Sequence, residues 1–211
     1  GPQPIAVAVT SGGDFLYVAL RSGAAVRVFD TGTLTQVTSI AVTGAPGGIA
    51  ISPDGSRAYV TRSNADSVSV IDTGTNTVVT SVTVGDFPVG VAFTPDGRFA
   101  LIDNQSDNDV TVIDAATVSV FSTFDVGSGP SALAISPDGV RAYVANLWAN
   151  TVSVVGLTVL QPTAVAMGTV GAPFSFAVPA LNATSFAVTA GALPAGLNLD
   201  SVFGIISGSP T

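Results

Sequence analysis

The densest group of potential metal ligands in this 211-residue sequence is a stretch rich in Asp and Asn at positions 103–109. Its three aspartates, Asp103, Asp107 and Asp109, place carboxylates close together, and a hard cation such as calcium binds oxygen ligands. The stretch lacks the ligand spacing and the bidentate glutamate of an EF-hand loop. The alternative, which we favour, is a solvated loop whose polar side chains cap turns. Apart from calcium, we expect no cofactor.

Two arginines and one tryptophan could bind a partner. Arg21 and Arg62 are predicted at equivalent positions where a strand ends, and a guanidinium there could hold a carboxylate or a phosphate. Trp148, the only tryptophan, lies in a predicted loop and could anchor a protein or a glycan. The alternatives are solvation, an ion pair with Asp66, and packing of the tryptophan against the segment that follows. The residues that we assign to a partner-binding face are Arg21, Arg62, Asp66, Phe87, Asn104, Asn146 and Trp148.

The composition excludes most kinds of catalytic site. The sequence contains no His and no Cys, and all fourteen acidic residues are Asp. A Ser-His-Asp triad and thiol chemistry are therefore impossible, and the commonest transition-metal ligand is missing. We expect no catalytic residue in this chain.

The charge pattern excludes nucleic acid as a partner. All six basic residues are Arg, they form no cluster, and the net charge is −8. Binding to nucleic acid requires basic clusters that displace counterions. The longest apolar stretches have the length of a β-strand, so we also expect no insertion into a membrane.

The elements that must position these residues recur every 42 residues, beginning at Pro4, Pro46, Pro88 and Pro130. Each proline precedes a short apolar run, and three of the runs continue into Ser/Thr-Pro-Asp-Gly, which is a turn sequence. Turns about every 8–12 residues between β-rich segments are typical of all-β folds. A period of this length indicates a propeller. We predict an all-β protein with four propeller-type blades of about four antiparallel strands each, called a to d.

The repeated aspartates are predicted to have structural roles. One set follows proline and precedes glycine in the turn between strands a and b, and the other set ends strand c. Both patterns are turn chemistry rather than catalytic patterns. The residues are Asp54, Asp96 and Asp138 in the first set, and Asp30, Asp72 and Asp114 in the second.

These motifs resemble the YVTN-type β-propeller repeats of bacterial and archaeal surface proteins. The resemblance is carried by Ile49-Ala50-Ile51-Ser52-Pro53-Asp54-Gly55, by Ala58-Tyr59-Val60-Thr61, and by Val68-Ser69-Val70-Ile71-Asp72-Thr73. The Asn that closes the family motif is Leu20, Arg62, Asn104 and Asn146 in the four repeats. The resemblance implies about seven blades, a ligand face built from the b–c and d–a loops, and an extracellular or cell-surface location.

The predicted blades comprise residues 1–42, 43–84, 85–126 and 127–156. The last is shorter, because Gly156 replaces the aspartate that ends strand c and no clear strand d follows. Four blades are fewer than the family implies. We therefore expect a partial or open propeller, completed either by further blades upstream or by a homodimer.

A different module is predicted after the repeats. Residues 157–171 are interpreted as an exit strand and linker, and residues 172–211 as a short β-sandwich-like segment. Leu193-Pro194-Ala195-Gly196-Leu197 and the close at 204–211 resemble immunoglobulin-like domains of bacterial surface proteins. The resemblance implies an incomplete immunoglobulin-like module that acts as a spacer.

Three functions remain open from the sequence. The preferred hypothesis is a non-catalytic surface scaffold that binds a protein or glycan through the b–c and d–a loops. The first alternative is part of a propeller enzyme of lactonase or oxidoreductase type, in which Arg62, Asp103 and Asp107 contribute to a site completed by other blades. The second alternative is a calcium-stabilised adhesin.

Overall fold

The computed structural model describes residues 1–157, 173–177, 193, 195–201 and 205–209. Contacts divide the chain into two compact units, Gly1–Val155 and Gly156–Thr211. Every regular element in the described part is a β-strand, which confirms the all-β prediction. Within these residues no helix has the length and apolar character needed to cross a membrane.

The first unit consists of successive antiparallel sheets, each formed by strands that are neighbours in sequence. Blade 1 comprises β1 (Pro4–Val9), β2 (Phe15–Leu20), β3 (Ala25–Asp30) and β4 (Gln36–Ala41). Blade 2 comprises β5 (Pro46–Ile51), β6 (Arg57–Arg62), β7 (Ser67–Asp72) and β8 (Thr77–Thr83). Blade 3 comprises β9 (Pro88–Phe93), β10 (Phe99–Asn104), β11 (Asp109–Asp114) and β12 (Ser119–Asp125). Blade 4 comprises β13 (Pro130–Ile135), β14 (Arg141–Asn146) and β15 (Thr151–Gly156).

The second unit contains one described sheet. Its strands are β16 (Phe174–Ala177), β17 (Leu197–Asp200) and β18 (Ile205–Gly208), in the order β16-β18-β17 with antiparallel pairing. Most of the predicted linker, residues 158–171, lies outside the described residues.

Backbone geometry repeats with the same period as the sequence. Left-handed φ values recur at 42-residue intervals in the loops, and at several of these positions the residue is not glycine. The recurring positions are Gly13, Gly55, Gly97 and Gly139; Ala24, Asp66, Asn108 and Asn150; Leu34, Asn76 and Val118; and Ala45, Phe87 and Gly129. Because L-residues rarely adopt this conformation, its recurrence shows that equivalent loops have one shared geometry.

The turn aspartates have the structural role that the sequence predicts. In the a–b turn of blade 2, the Asp54 carboxylate accepts hydrogen bonds from the hydroxyl of Ser52 and the backbone N–H of Ser56. Asp138 repeats this arrangement in blade 4, and in both residues the hydrogen bond from the preceding serine is the main cause of a lowered pKa. At the end of strand c, Asp30 accepts from the backbone N–H of Thr33, and this bond lowers its pKa.

Neighbouring blades meet most closely at their inner strands. A Cβ atom on Gly48 of β5 would lie 2.5 Å from the carbonyl oxygen of Val89 on β9 and 3.0 Å from the Cα atom of Gly90. The equivalent positions in blades 1 and 4 are Ala6 and Ala132. The small side chains at this position therefore permit the wedge-shaped packing of blades that a propeller requires.

A buried tyrosine column extends between blades. The hydroxyl of Tyr17 in blade 1 donates to Oδ1 of Asn76 in blade 2 at 2.6 Å. One repeat later, the fully buried Tyr59 packs near Val118, which occupies the position equivalent to Asn76. Among the described residues, the hydroxyl of Tyr59 has no hydrogen-bond partner. The blade 2–3 interface thus lacks a polar contact that the blade 1–2 interface has.

We predict that Val118→Asn raises the free energy of unfolding by about 1 kcal/mol. The amide offers an acceptor to the buried hydroxyl of Tyr59, and an unpaired buried polar group costs about 1–3 kcal/mol. Asn also adopts left-handed φ more readily than a β-branched residue does. Loss of the half-buried valine methyl groups offsets part of this gain.

Urea denaturation at pH 7 measures the effect. The reciprocal variant, Asn76→Val, is the control and should destabilise the protein, because it removes the hydrogen bond at 2.6 Å and leaves the Tyr17 hydroxyl only the longer one, at 3.4 Å, to the carbonyl of Thr73. Equal destabilisation by both variants would contradict the equivalence of the two positions.

Candidate functional site

The b–c and d–a loops lie together at one end of the blades, and we call this surface the loop face. It comprises residues 21–24, 43–45, 63–66, 85–87, 105–108, 127–129 and 147–150. In every blade, the first residue after strand b donates its backbone N–H to a carbonyl just before strand a. The pairs are Arg21 to Gln3, Ser63 to Ala45, Gln105 to Phe87 and Leu147 to Gly129. These bonds, at 2.8–3.2 Å, fix each b–c loop to its own blade.

Asn104 and Asn146 are buried beneath the loop face and are not part of its exposed surface. The amide of Asn104 donates to the Asp109 carboxylate at 2.6 Å and to the Thr111 hydroxyl at 2.8 Å. Asn146 makes the equivalent bonds to Thr151 and Ser153, and both asparagines are buried. Their predicted place on a partner-binding face is therefore corrected, because these bonds hold them between strands b and c.

Arg21 and Arg62 are not equivalent, contrary to the sequence prediction. Arg62 is the last residue of β6 and aligns with Leu20, whereas Arg21 follows β2 and aligns with Ser63. Consecutive residues of a strand point to opposite faces, so a shift of one residue separates the two guanidinium groups.

The side chain of Arg62 is held within its own blade. Its Nε donates to the carbonyl of Thr43 at 2.7 Å, and one terminal nitrogen donates to the hydroxyl of Ser81 at 3.2 Å. Asp66 does not pair with it, but accepts a hydrogen bond from the backbone N–H of Phe87. That bond braces Phe87 in its left-handed conformation.

Arg21 lies instead beside the concave surface formed by the inner strands of all four blades. A groove of about 360 Å³ follows this surface, with Gly47, Gly48 and Gly90 in its wall. Arg21 is the one charged residue that lines it, and its Nε, which is buried, has no hydrogen-bond partner in the described part of the chain.

The structure separates the three aspartates of the predicted calcium site. Asp103 is buried on β10 and accepts a hydrogen bond from the backbone N–H of Gly90. Asp107 is exposed and accepts from the backbone N–H of Asp86, while Asp109 accepts from Asn104. In the described ranges, no group of three or more His, Cys, Asp or Glu side chains is placed to hold a metal ion.

Burial raises the pKa of Asp103 to about 6, although hydrogen bonds from the backbone N–H groups, of which that of Gly90 is the strongest, oppose the shift. Its second carboxylate oxygen is buried and makes no hydrogen bond to any described residue. Blade 2 has Thr61 at the equivalent position, and that hydroxyl donates to the carbonyl of Val89 in the next blade at 2.8 Å. Asp103 in its ionised form cannot donate such a bond.

We predict that Asp103 makes the protein less stable as the pH rises from about 4 to about 6. The folded protein holds this proton more tightly than the unfolded chain does, so the stabilisation is complete below pH 4 and is lost as Asp103 ionises. A shift from 3.8 to about 6 corresponds to roughly 3 kcal/mol. Asp103→Asn should remove this dependence and raise the free energy of unfolding at pH 8.

Denaturation of the wild type and the variant at several pH values between 4 and 8 measures the difference. Asp14→Asn, which changes an exposed carboxylate in blade 1, is the matched control and should follow the wild-type profile. Parallel curves for the wild type and Asp103→Asn would show that burial does not perturb this carboxyl group.

Trp148 is the most exposed aromatic side chain on the loop face, with 57% of its surface accessible. Its backbone N–H donates to the carbonyl of Ser128, and its ring lies over Gly129, where a Cβ atom would approach ring carbons to 2.5 Å. The ring is thus held by a rigid loop while its outer surface is open.

Sequence reasoning missed two residues of the loop face. Leu147 is 60% exposed beside Trp148. Its position directly after strand b of blade 4 was the sequence feature that could have identified it. Asp86 lies near Asp66 and Asp107, and its pKa is raised by desolvation and then by the charges of these two carboxylates. The sequence holds no signal for this contact, since it depends on the approach of neighbouring blades.

Comparison of the sequence with known protein families identifies the family of the first unit. The family model described as "Lactonase, 7-bladed beta-propeller" matches residues 2–79 and 45–120, which together span more than half of the chain. The chain belongs to the seven-bladed β-propeller lactonase family. A second model, described as "Putative Ig domain", matches residues 156–211. Both predicted resemblances, to propeller repeats and to an immunoglobulin-like domain, are confirmed.

Two solved structures resemble this member of the lactonase family. Hydrazine synthase from Kuenenia stuttgartiensis is 27% identical, with a TM-score of 0.72 over 75% of this chain and 47% of that one. A functionally unknown protein from Desulfotomaculum acetoxidans DSM 771 is 21% identical, with a TM-score of 0.60 over 72% of this chain and 55% of that one. The chain spans about half the length of these relatives. A search among curated proteins found no match.

Proposed function

We propose that this protein is a non-catalytic extracellular or cell-surface scaffold that binds a protein or glycan partner through its loop face. The observation that carries the proposal is the exposed ring of Trp148, held open on a loop fixed by backbone hydrogen bonds. Tryptophan combines a large apolar area with little loss of conformational entropy on binding, and it is enriched among the residues that dominate binding energy. Leu147 extends this apolar surface.

The separate positions of the polar side chains in the enzyme hypothesis support binding rather than catalysis. The three residues of the enzyme hypothesis lie against three different segments: Arg62 against Thr43, Asp103 against Gly90, and Asp107 against Asp86. Acid–base chemistry requires groups within hydrogen-bond reach of one reacting atom.

An extracellular or surface location is part of the proposal. The chain contains no Lys, only 9% charged residues, and 23 Gly. This composition and the match to an immunoglobulin-like family fit an exported protein.

We predict that Trp148→Ala reduces partner affinity at least tenfold, because burial of an aromatic anchor contributes several kcal/mol to binding. Since Trp148 is the only tryptophan, its fluorescence reports occupancy of the loop face directly. Titration with soluble oligosaccharides tests the glycan arm, and a peptide library displayed on phage tests the protein arm.

Trp148→Phe should retain part of the affinity for any partner found, and Phe121→Ala, which removes an exposed aromatic from outer strand β12, should retain all of it. A partner whose affinity is unchanged in Trp148→Ala would place the binding surface elsewhere.

The family match favours a second candidate, hydrolysis of a lactone, because the family is described as lactonase. In that case the groove beside Arg21 would receive the substrate, with the guanidinium near the carbonyl oxygen. Hydrolysis of a chromogenic lactone by the purified chain, lost in Arg21→Ala and retained in Arg62→Ala, would establish this function and overturn the non-catalytic one.

A further inference from the structure

A cavity of about 270 Å³ lies between blades 2 and 3, at the end of the blades opposite the loop face. Its walls come from the a–b turns of both blades, from inner strand β9 and from the residues that follow β11. Each of the two blades has all four of its strands. The cavity is therefore built entirely by two neighbouring repeats, and we call it the turn-side cavity.

The turn-side cavity combines three polar side chains that the other two blade interfaces of the described chain do not combine. They are the phenol of Tyr59 and the guanidinium groups of Arg57 in blade 2 and Arg98 in blade 3. The repeats place different residues at the equivalent positions. These are Phe15 and Ser56 for the two arginines between blades 1 and 2, and Leu101, Phe99 and Val140 for all three residues between blades 3 and 4.

The hydroxyl of Tyr59 is directed toward the turn that closes the cavity. The equivalent hydroxyl of Tyr17 donates to Asn76, in the turn after strand c of the next blade. The corresponding turn of blade 3 lines the cavity with Ala115 and Ala116. No described residue accepts a hydrogen bond from the Tyr59 hydroxyl, so this donor is available to a ligand oxygen.

The guanidinium group of Arg98 is a second available donor. It lies over the ring of Phe99, 4.8 Å from the centroid, and this contact holds its plane in place. Its charge helps to lower the pKa of Asp114, yet its side chain makes no ion pair with any described residue. Arg57 differs, because it already pairs with the Asp72 carboxylate.

The two aspartates of the cavity are used by their own turns. Asp54 accepts three hydrogen bonds from Ser52 and Ser56. Asp96 accepts two within the equivalent turn of blade 3. The groups that lack partners are therefore hydrogen-bond donors, and a complementary ligand must present acceptor oxygens.

We propose that the turn-side cavity binds a small organic carboxylate. Its oxygens accept hydrogen bonds from the guanidinium group of Arg98 and from the hydroxyl of Tyr59. A planar guanidinium group matches the geometry of a carboxylate and forms strong, charge-assisted bonds with it. The ring of Phe93 and the methyl groups of Ala115 and Ala116 form an apolar wall for a short hydrocarbon or aromatic body. This site is separate from the loop face and from any partner bound there.

Titration of the complete, ¹⁵N-labelled chain with benzoate and with butyrate, followed by two-dimensional NMR, tests the proposal. We expect saturable shifts of the backbone amide signals of Gly97, Ala115 and Ala116 with at least one of the two acids. Inorganic phosphate is the comparison, because it carries charge without a hydrocarbon body. Equal affinity for phosphate would indicate an adventitious ion only, and the absence of saturable shifts with both acids would also overturn the site.

Substitutions identify the groups that hold the carboxylate. Arg98→Gln should weaken binding at least about tenfold, and Tyr59→Phe about threefold to tenfold, because hydrogen bonds to charged groups are the stronger ones. Tyr59→Phe removes only a hydroxyl without a partner, so the fold should be retained, as circular dichroism would show. Arg141→Gln, which changes an exposed arginine of blade 4 outside the cavity, is the matched control and should bind as the wild type does.

Val118→Asn separates ligand binding from a purely structural effect. The new amide competes for the Tyr59 hydroxyl, so this variant should bind the carboxylate more weakly although its fold is more stable. Unchanged affinity in Arg98→Gln, or a loss in Arg141→Gln equal to that in Arg98→Gln, would show that the carboxylate is not held in the turn-side cavity.

Discussion

The close approach of neighbouring inner strands is the constraint on which the rest of the propeller unit depends. Gly48 lies so near the carbonyl of Val89 that no side chain fits between them, and Thr61 donates a hydrogen bond to the same oxygen. Because the blades are pressed together at their inner strands, they diverge outward like wedges. Their broad faces must then be filled by apolar side chains, which explains why the valines and tyrosines between two blades are buried.

The same constraint fixes the surface available for function. The inner strands place every d–a loop beside the b–c loop of its own blade, and a recurring backbone hydrogen bond holds the two together. Side chains on this face are presented by a rigid support and lose little freedom on binding a partner. Trp148 differs from its counterparts Asn64 and Ser106 in size and not in its backbone hydrogen bond, so a single substitution in one repeat is enough to place an exposed aromatic ring on this face.

Local sequence patterns were sufficient to predict the blades, whereas side-chain placement required the structure. Strand boundaries, turn types and the roles of aspartates such as Asp54 follow from residue periodicity and turn chemistry, which act within a few residues. The site was harder to predict because it depends on contacts between blades. The sequence predicted Asp103 as a metal ligand in a loop. Strand β10 extends one residue further, to Asn104, so Asp103 lies on the strand and its side chain is buried. Arg21 and Arg62 were misaligned by one position, and in a strand that error exchanges the two faces.

The identical length of the repeats has a consequence for how such chains change over generations. Equivalent loops contain the same number of residues and the same left-handed positions, so any point in one repeat can be joined to the matching point in the next without interrupting a strand. Unequal recombination between repeats therefore adds or removes whole blades while every remaining turn stays intact. The number of blades is a genetically adjustable property of this architecture, and the apolar columns ensure that a newly acquired blade already fits its neighbours.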